Sequence, residues 1–484
     1  MNRDEKLFGS LRILSENDVE KIFAAAVHTL ETVGVAFEDP GARERLQAAG
    51  ASVAGDRVRL PEPLVTTALS ASPKRVMLGA RMPENSIELG LHRFVTTNGF
   101  GTTHVLDSFG GMRREAVAQD MARLTRISDH LEQVGFCQHL VTPADLPQEL
   151  LDVALPCIVL SNTSKHCHLS SYSARYVDEV FALGEIARDE TARDDPVYSL
   201  GCCSVSPLRF PAEATILLRK AAGRRIPFLV VSGAVGGVMS PVTLAGSLVV
   251  QTAELLAAST LAQTVEPAAP IAWGSFSSPM DPRTSRQRLG TAELSLLNGA
   301  TAQICRRCGV PFGYGTGGIT DASSIGVQTG IEKALTTLSA ALAGVEVIHD
   351  AVSGIMDSGL TVSYEQLVID DETCQIVRRL LRGIEVDEER LALAAIEEAG
   401  PGGSYLALRH TAEHFRDELH LSDFWEKDRD ASESVLERAR ARSQELAEKR
   451  PRSPLSGGQA EAMLRVWKDA GLPETMGRKV IGVL

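Results

Sequence analysis

The run IPFLVVSG, from Ile226 to Gly233, is followed by PVTLAGSLVVQTAELLAASTLAQ, from Pro241 to Gln263, and then by IAWGSFSS, from Ile271 to Ser278. Two short apolar runs, each closed by Gly or Ser, flank one long helical pattern. That order reads as strand, helix, strand, the unit from which parallel sheets are built. The same unit recurs on both sides. Before it stand RFVTTNG from Arg93, VGFCQHL from Val134, KHCHLSS from Lys165 and YSLGCCSVS from Tyr198; after it stand VPFGYGTGG from Val310 and VEVIHD from Val345. Helical patterns separate them, among them AQDMARLTRISDHLE from Ala118 and VQTGIEKALTTLSAALAG from Val327. Eight strand–helix repeats at a spacing of roughly 30 to 40 residues predict a (β/α)8 TIM barrel over residues 91–384. A doubly wound sheet would place a glycine fingerprint after its first strand and an acidic residue about twenty residues on. Neither stands there.

The flanks differ from the barrel. At the amino end Ser15 is positioned to cap a helix whose apolar face is Val19, Ile22, Phe23, Val27 and Leu30, with Gly34 ending it. Short elements closed by Gly and Pro continue to about residue 90, giving an amino-terminal α/β cap over 1–90. Beyond 385, charged helical patterns, a PRSPLSGGQ linker from Pro451 and a last helix carrying Trp467 give carboxy-terminal helical additions over 385–484. The charge runs there read as solvated helix faces.

Composition narrows the function classes. With 484 residues, 49 Lys and Arg against 62 Asp and Glu leave a net charge of −13, which argues against a nucleic-acid or anionic-membrane partner. The amino terminus, MNRDEKLFGSLRILSEND, lacks the apolar core of a signal peptide, and no stretch of about eighteen uninterrupted apolar residues occurs. A cytoplasmic location is expected. The eight cysteines lie mostly in apolar segments, where a cytosolic thiol behaves as a small hydrophobe, so no disulfide framework is implied.

In this barrel class catalytic groups come from the carboxy ends of the strands. Reading those ends gives Asn98 and Phe100, His139, His166 and His168, Ser204, Ser232, Trp273, Ser275 and Phe276, Phe312, Tyr314 and Thr316, and His349 with Asp350. Five of the 23 rings (14 Phe, 6 Tyr, 3 Trp) fall there, suited to a cavity for a cation that cannot hydrogen-bond. The alternative is that barrel strands bury large rings as core layers. Strand alternation also leaves open whether Phe312 or Tyr314 faces inward. His166, Cys167 and His168 with Cys202 and Cys203 could be imagined as zinc ligands, and CRRC from Cys305 is half of a metal or redox pair; buried structural residues account for both more simply. Schiff-base chemistry needs a lysine at a strand's carboxy end, yet Lys165 begins its strand and Lys333 lies within a helix. The glycine-rich GAVGG and GYGTGG lack the phosphate-loop spacing and its lysine, and read as turns.

Six ordered blocks then carry a resemblance: LRILSENDVEKIFAAAVHTLETVGV from Leu11, RLPEPLVTTALSASPKRVMLGAR from Arg59, VLDSFGGMRR from Val105, GYGTGGITDASSIGVQTGIEKAL from Gly313, SGLTVSYEQLVIDDE from Ser358 and GPGGSYLALRHTAEHFRDEL from Gly400. Together they resemble the trimethylamine:corrinoid methyltransferase superfamily. Family members acting on trimethylamine are known for a pyrrolysine encoded by an in-frame amber codon, whereas GYGTGGITDAS here contains only standard residues. That departure makes the chain similar to the non-pyrrolysine branch, whose known substrates are quaternary amines such as glycine betaine, carnitine and proline betaine.

The resemblance implies methyl transfer from a quaternary amine, glycine betaine first, to the cobalt(I) of a separate corrinoid protein, with no cofactor bound tightly and no protein-bound metal. The partner set that follows is the corrinoid protein, the amine and further copies of the chain, since a homo-oligomer is the usual state of such a barrel. Trp273, Phe276, Tyr314 and Phe100 are expected to form the cage, with His349, Asn98 or Thr316 holding a carboxylate and His139 a second polar residue of the site. Two rival readings are a TIM-barrel lyase acting on a small acid through His139 or His349 as general base, and a non-catalytic betaine-binding protein.

Overall fold

The computed structural model describes residues 5–99, 101–106, 111–170, 173–188, 195–422, 424–425 and 434–482. Eight parallel strands form its centre: β1 Val95–Thr96, β2 Phe136–Cys137, β3 His166–Ser170, β4 Tyr198–Cys203, β5 Phe228–Ser232, β6 Ile271–Ser275, β7 Phe312–Thr316 and β8 Val347–His349. Each pairs with its neighbours in chain order, β8 returns to β1, and a parallel bridge from Thr96 to Val134 joins β1 to the β2 segment and closes the ring. Each strand is followed by a helix: α1 Ala118–His130, α2 Leu151–Asn162, α3 Val177–Ala187, α4 Ala212–Gly223, α5 Leu244–Val265, α6 Ala292–Cys308, α7 Val327–Leu342 and α8 Tyr364–Arg382. The fold is the (β/α)8 barrel expected from the alternation, and all eight sequence runs contain a strand.

Alternation along each strand sends one set of side chains inward and the other against the helices. Inward, Phe136, Leu229, Ala272 and Val347 form an apolar floor with Val76, Leu78 and Leu89. The last three belong to an antiparallel hairpin, Val76–Leu78 with Ile87–Leu89, that plugs the amino-terminal end of the barrel. Glu346, just ahead of β8, fastens this plug by accepting from the backbone N–H groups of Gly90, Leu91 and His92 at 2.8 to 3.1 Å. Outward, Val230, Ile271, Trp273 and Phe312 enter the larger core beneath the helices.

The amino-terminal segment wraps α5. Ser15 caps the helix Glu16–Thr32 by accepting from the Asp18 N–H, and this helix, Pro40–Ala48 and Glu62–Ala71 all pack along α5. That coverage explains why α5 is apolar all round and long enough by composition to cross a membrane, yet mostly enclosed by protein. The strand Val35–Phe37 pairs in parallel with Arg209–Phe210 from the loop after β4, so the amino-terminal sheet borrows an edge from the barrel. The last helices, Val435–Glu448, Gly457–Asp469 and Glu474–Ile481, cover α1, α2, α3 and α8.

Candidate functional site

Above the apolar floor the inward positions turn polar. On β3, His166 and His168 share a face, and Ser199 of β4 stands between them, its hydroxyl 2.9 Å from His166 Nε2 and 2.9 Å from His168 Nδ1. His166 Nδ1 lies 2.6 Å from the Gly79 carbonyl, which can only accept. That fixes a chain of donors: His166 Nδ1–H to Gly79, Ser199 O–H to His166 Nε2, and His168 Nδ1–H to Ser199. His168 Nε2 is therefore an acceptor. Burial depresses both imidazoles, His166 to about 4 and His168 well below its ordinary value, so neutral rings are the state this chain requires.

Across the barrel Tyr314 stacks on His349, with ring centroids 3.6 Å apart and planes 21° apart, and meets His168 edge-on at 6.5 Å. His349 Nδ1 lies 2.6 Å from Asp350 Oδ2. Asp350 has a left-handed backbone, φ 70°, which turns the chain back over the end of β8. A Cβ on Gly99 would stand 2.1 Å from Asp350 Oδ1, so the end of β1 must be glycine for the carboxylate to reach this place. His139, nearly fully buried after β2, is pushed down to about 4 by burial first and by the neighbouring His349 second. Cys203 points inward at the end of β4 and is exposed, which shows that the chamber opens to solvent at the carboxy-terminal end. The barrel wall around its sulfur still desolvates the thiolate, and with the nearby Glu254 carboxylate this raises the thiol to about 11.

The nominated residues separate by strand face. Tyr314, His349, His139 and Thr316 lie together at one end of the barrel; Thr316 pairs in register with His349 and its hydroxyl donates to the Ser275 carbonyl at 2.9 Å. Phe276 sits half-buried at the rim, its N–H donating to the Ser232 carbonyl at 2.8 Å. Trp273 is a correction: it faces outward and its indole Nε1–H donates to Ser259 of α5 at 2.7 Å, so it belongs to the shell and not to a cage. Asn98 is also corrected. Its amide is used up between strands, Nδ2 donating to the Gln138 carbonyl at 3.2 Å and Oδ1 accepting from the Gln138 N–H at 2.7 Å. Phe100 lies outside the described residues. A register shift between Trp273 and Gly274 settles the choice on β7, turning Tyr314 inward and Phe312 outward. Among the described residues no group of three or more His, Cys, Asp or Glu is arranged to hold a metal ion.

Two residues escaped the sequence reading. Ser199, which sets the histidine tautomers, looked like an ordinary strand residue. Gln138, between Cys137 and His139, is buried just past the carboxy end of β2, two residues after the inward Phe136.

A closed parallel barrel whose polar side chains converge at the carboxy-terminal mouth is the architecture of a barrel enzyme. The chain belongs to the trimethylamine methyltransferase (MTTB) family, whose pattern it matches over residues 4–472. It is 31% identical over 453 residues to a glycine betaine methyltransferase of Desulfitobacterium hafniense, covering 91% of this chain and 93% of that one. It is 32% identical over 417 residues to the trimethylamine methyltransferase MttB of Methanosarcina barkeri, covering 83% and 82%. The monomethylamine methyltransferase MtmB of Methanosarcina barkeri has the same fold, with a TM-score of 0.52 at 12% identity over 98% of this chain and 90% of that one. Family and fold together make the chain a methyltransferase-class enzyme.

Proposed function

We propose that the chain transfers a methyl group from a quaternary amine, glycine betaine first, to the cobalt(I) of a separate corrinoid protein. The observation that carries this reading is the Tyr314 ring lying against His349 in an inward polar belt, with the Asp350 carboxylate beside it. A ring face and a nearby carboxylate favour a cation, and none of the belt residues is Lys or Arg. Likeness to a glycine betaine methyltransferase supports the same choice.

The chemistry suits these residues. A quaternary nitrogen already carries a neutral tertiary amine as leaving group, so no acid has to protonate it. A cobalt(I) corrinoid held by the partner supplies the electron pair that takes the methyl carbon, while the C–N pair goes to nitrogen. The barrel orients the N-methyl group toward the open mouth and limits water. Positive charge at nitrogen disperses in the transition state, so a cage that is too tight would favour substrate over transition state; one stacked Tyr–His pair is a moderate cage. The Cys203 thiol, held protonated by its raised pKa of about 11, is a poor competing nucleophile for the same methyl group. A lyase reading fits less well, because His139 at about 4 is a weak base near neutrality.

The partners in this reading are a corrinoid protein and the amine, in the cytoplasm, without nucleic acid or membrane. Further copies of the chain belong to it as well: Val327, Ile331 and Leu335 form one exposed apolar stripe along α7, and Ile384 and Leu406 are exposed too. Glycine betaine added to the protein with reduced cobalamin is expected to bleach the cobalt(I) spectrum and yield dimethylglycine. No spectral change across glycine betaine, carnitine, proline betaine and tetramethylammonium would overturn the proposal. Binding in calorimetry without methyl transfer would favour a non-catalytic betaine-binding protein.

A further inference from the structure

Gln138 is about 1% exposed, and neither its Oε1 nor its Nε2 has a hydrogen-bond partner. A buried carboxamide with both ends unmet is uncommon, because each end gives up water and receives nothing in return. Its backbone, by contrast, is fixed: Asn98 grips both the N–H and the carbonyl. Phe136, two residues before it, is part of the inward floor, and Cys137 faces outward toward Thr163. Gln138 thus follows the carboxy end of β2, the strand next to β3 and His168, on a backbone held in place by Asn98.

We infer that Gln138 is the specificity-determining residue of the chamber, its Nε2–H donating to the carboxylate of a quaternary-ammonium substrate. The inference rests on the quaternary-amine reading and adds what recognises the tail. A carboxylate inside the barrel needs donors, and Asn98, Thr316 and His168 have theirs engaged. Asn98 is engaged between strands, and the Thr316 hydroxyl donates to Ser275. The donor chain from Gly79 leaves His168 Nε2 as an acceptor, which repels an anion. His139, held neutral by burial, brings no positive charge to an anion. Tyr314 and Asp350 would then meet the cationic head while Gln138 meets the tail.

Calorimetry on the purified full chain, with no corrinoid present, tests this with two probes: glycine betaine, which has the carboxylate, and tetramethylammonium, which lacks it. Gln138→Leu is expected to weaken glycine betaine at least tenfold and to change tetramethylammonium by no more than twofold. The same substitution removes an unmet polar group at nearly constant volume, so the ligand-free melting temperature is expected to hold or rise. A structural glutamine would instead lower it. Gln138→Glu is expected to weaken glycine betaine further, by setting carboxylate against carboxylate. Equal losses for both probes, or no loss for either, would overturn the role of Gln138 while leaving the quaternary-amine reading intact. Failure of the unsubstituted protein to bind either probe would instead overturn that reading, and this inference with it.

Discussion

Behind the barrel wall, Glu254 of α5 accepts from the hydroxyls of Ser204, Ser206 and Ser232 at 2.5 to 2.9 Å and from the Leu208 N–H at 2.8 Å. Past the end of β2, by contrast, the side chain of Gln138 accepts and donates nothing. Two carboxylates of α8 are met in the same way. Asp370 takes Lys333 at 2.9 Å, Gln366 at 2.8 Å and the Gly354 N–H at 2.8 Å; Asp371 takes the Gln133 N–H at 2.9 Å. These buried carboxylates of the shell are each met by several donors, whereas the Gln138 carboxamide has no partner and the neighbouring imidazoles are held neutral. A satisfied network stabilises the fold, and an unsatisfied one is stability withheld for a ligand.

The two regions also titrate with opposite sign, and that gives the largest expected effect. His139 and His166 fall from 6.5 to about 4 in the folded chain, and His168 falls further. Between pH 4 and 6.5 the unfolded chain binds protons that the folded one refuses, so stability drops as pH drops, by about 1.4 kcal/mol per pH unit for each histidine. Asp371 rises from 3.8 to about 6. In that window the folded chain holds a proton the unfolded one has released, so Asp371 gains stability on acidification and offsets part of the loss. Urea midpoints are expected to fall steeply from pH 6.5 to 4.5, less steeply in His139→Gln and more steeply in Asp371→Asn. A flat profile would erase the distinction between chamber and shell.

The next effect belongs to the shell alone. Lys333 and Asp370 form a buried pair that ties α7 to α8, and Lys333 also donates to the Gly318 carbonyl. Lys333→Ala strands the carboxylate and is expected to cost about 3 to 5 kcal/mol of stability in urea unfolding. Affinity for tetramethylammonium, measured on the folded fraction, is expected to stay within twofold. A selective loss of binding would move this pair from scaffold to site.

How the chain divides into strands and helices was legible because hydrophobic period and turn residues are local properties. Facing was less so. Trp273 and Phe276 stand three apart on one segment, so a period of two already forbids both from lining one cavity. Phe312 and Tyr314, two apart, would share a face, but the register shift at Trp273 and Gly274 separates them, and nothing local in GYGTGG announces it. The histidine tautomers depend on Gly79, far away in sequence, whose carbonyl reaches β3 only once the plug is in place. Gln138 was readable in principle from Phe136, given the knowledge that Phe136 points inward, which belongs to the closed barrel and not to the segment.

The smallest expected effects test that facing directly. Tyr314→Leu removes the ring that stacks on His349 and is expected to weaken tetramethylammonium about twofold to thirtyfold, equivalent to about 0.5 to 2 kcal/mol, with Tyr314→Phe close to unsubstituted. Trp273→Phe loses the indole hydrogen bond to Ser259 and some packing volume, at a cost of about 1 kcal/mol of stability, and leaves that affinity unchanged. The pair of measurements separates a ring that meets the cation from a ring that fills the core. Both are almost wholly buried, Trp273 at 0% and Tyr314 at 3% exposure, so burial alone does not distinguish them. If Trp273→Phe weakened the cation as much as Tyr314→Leu, the outward facing of β6 at that residue would be wrong, and the cation's ring contact would no longer belong to Tyr314 alone.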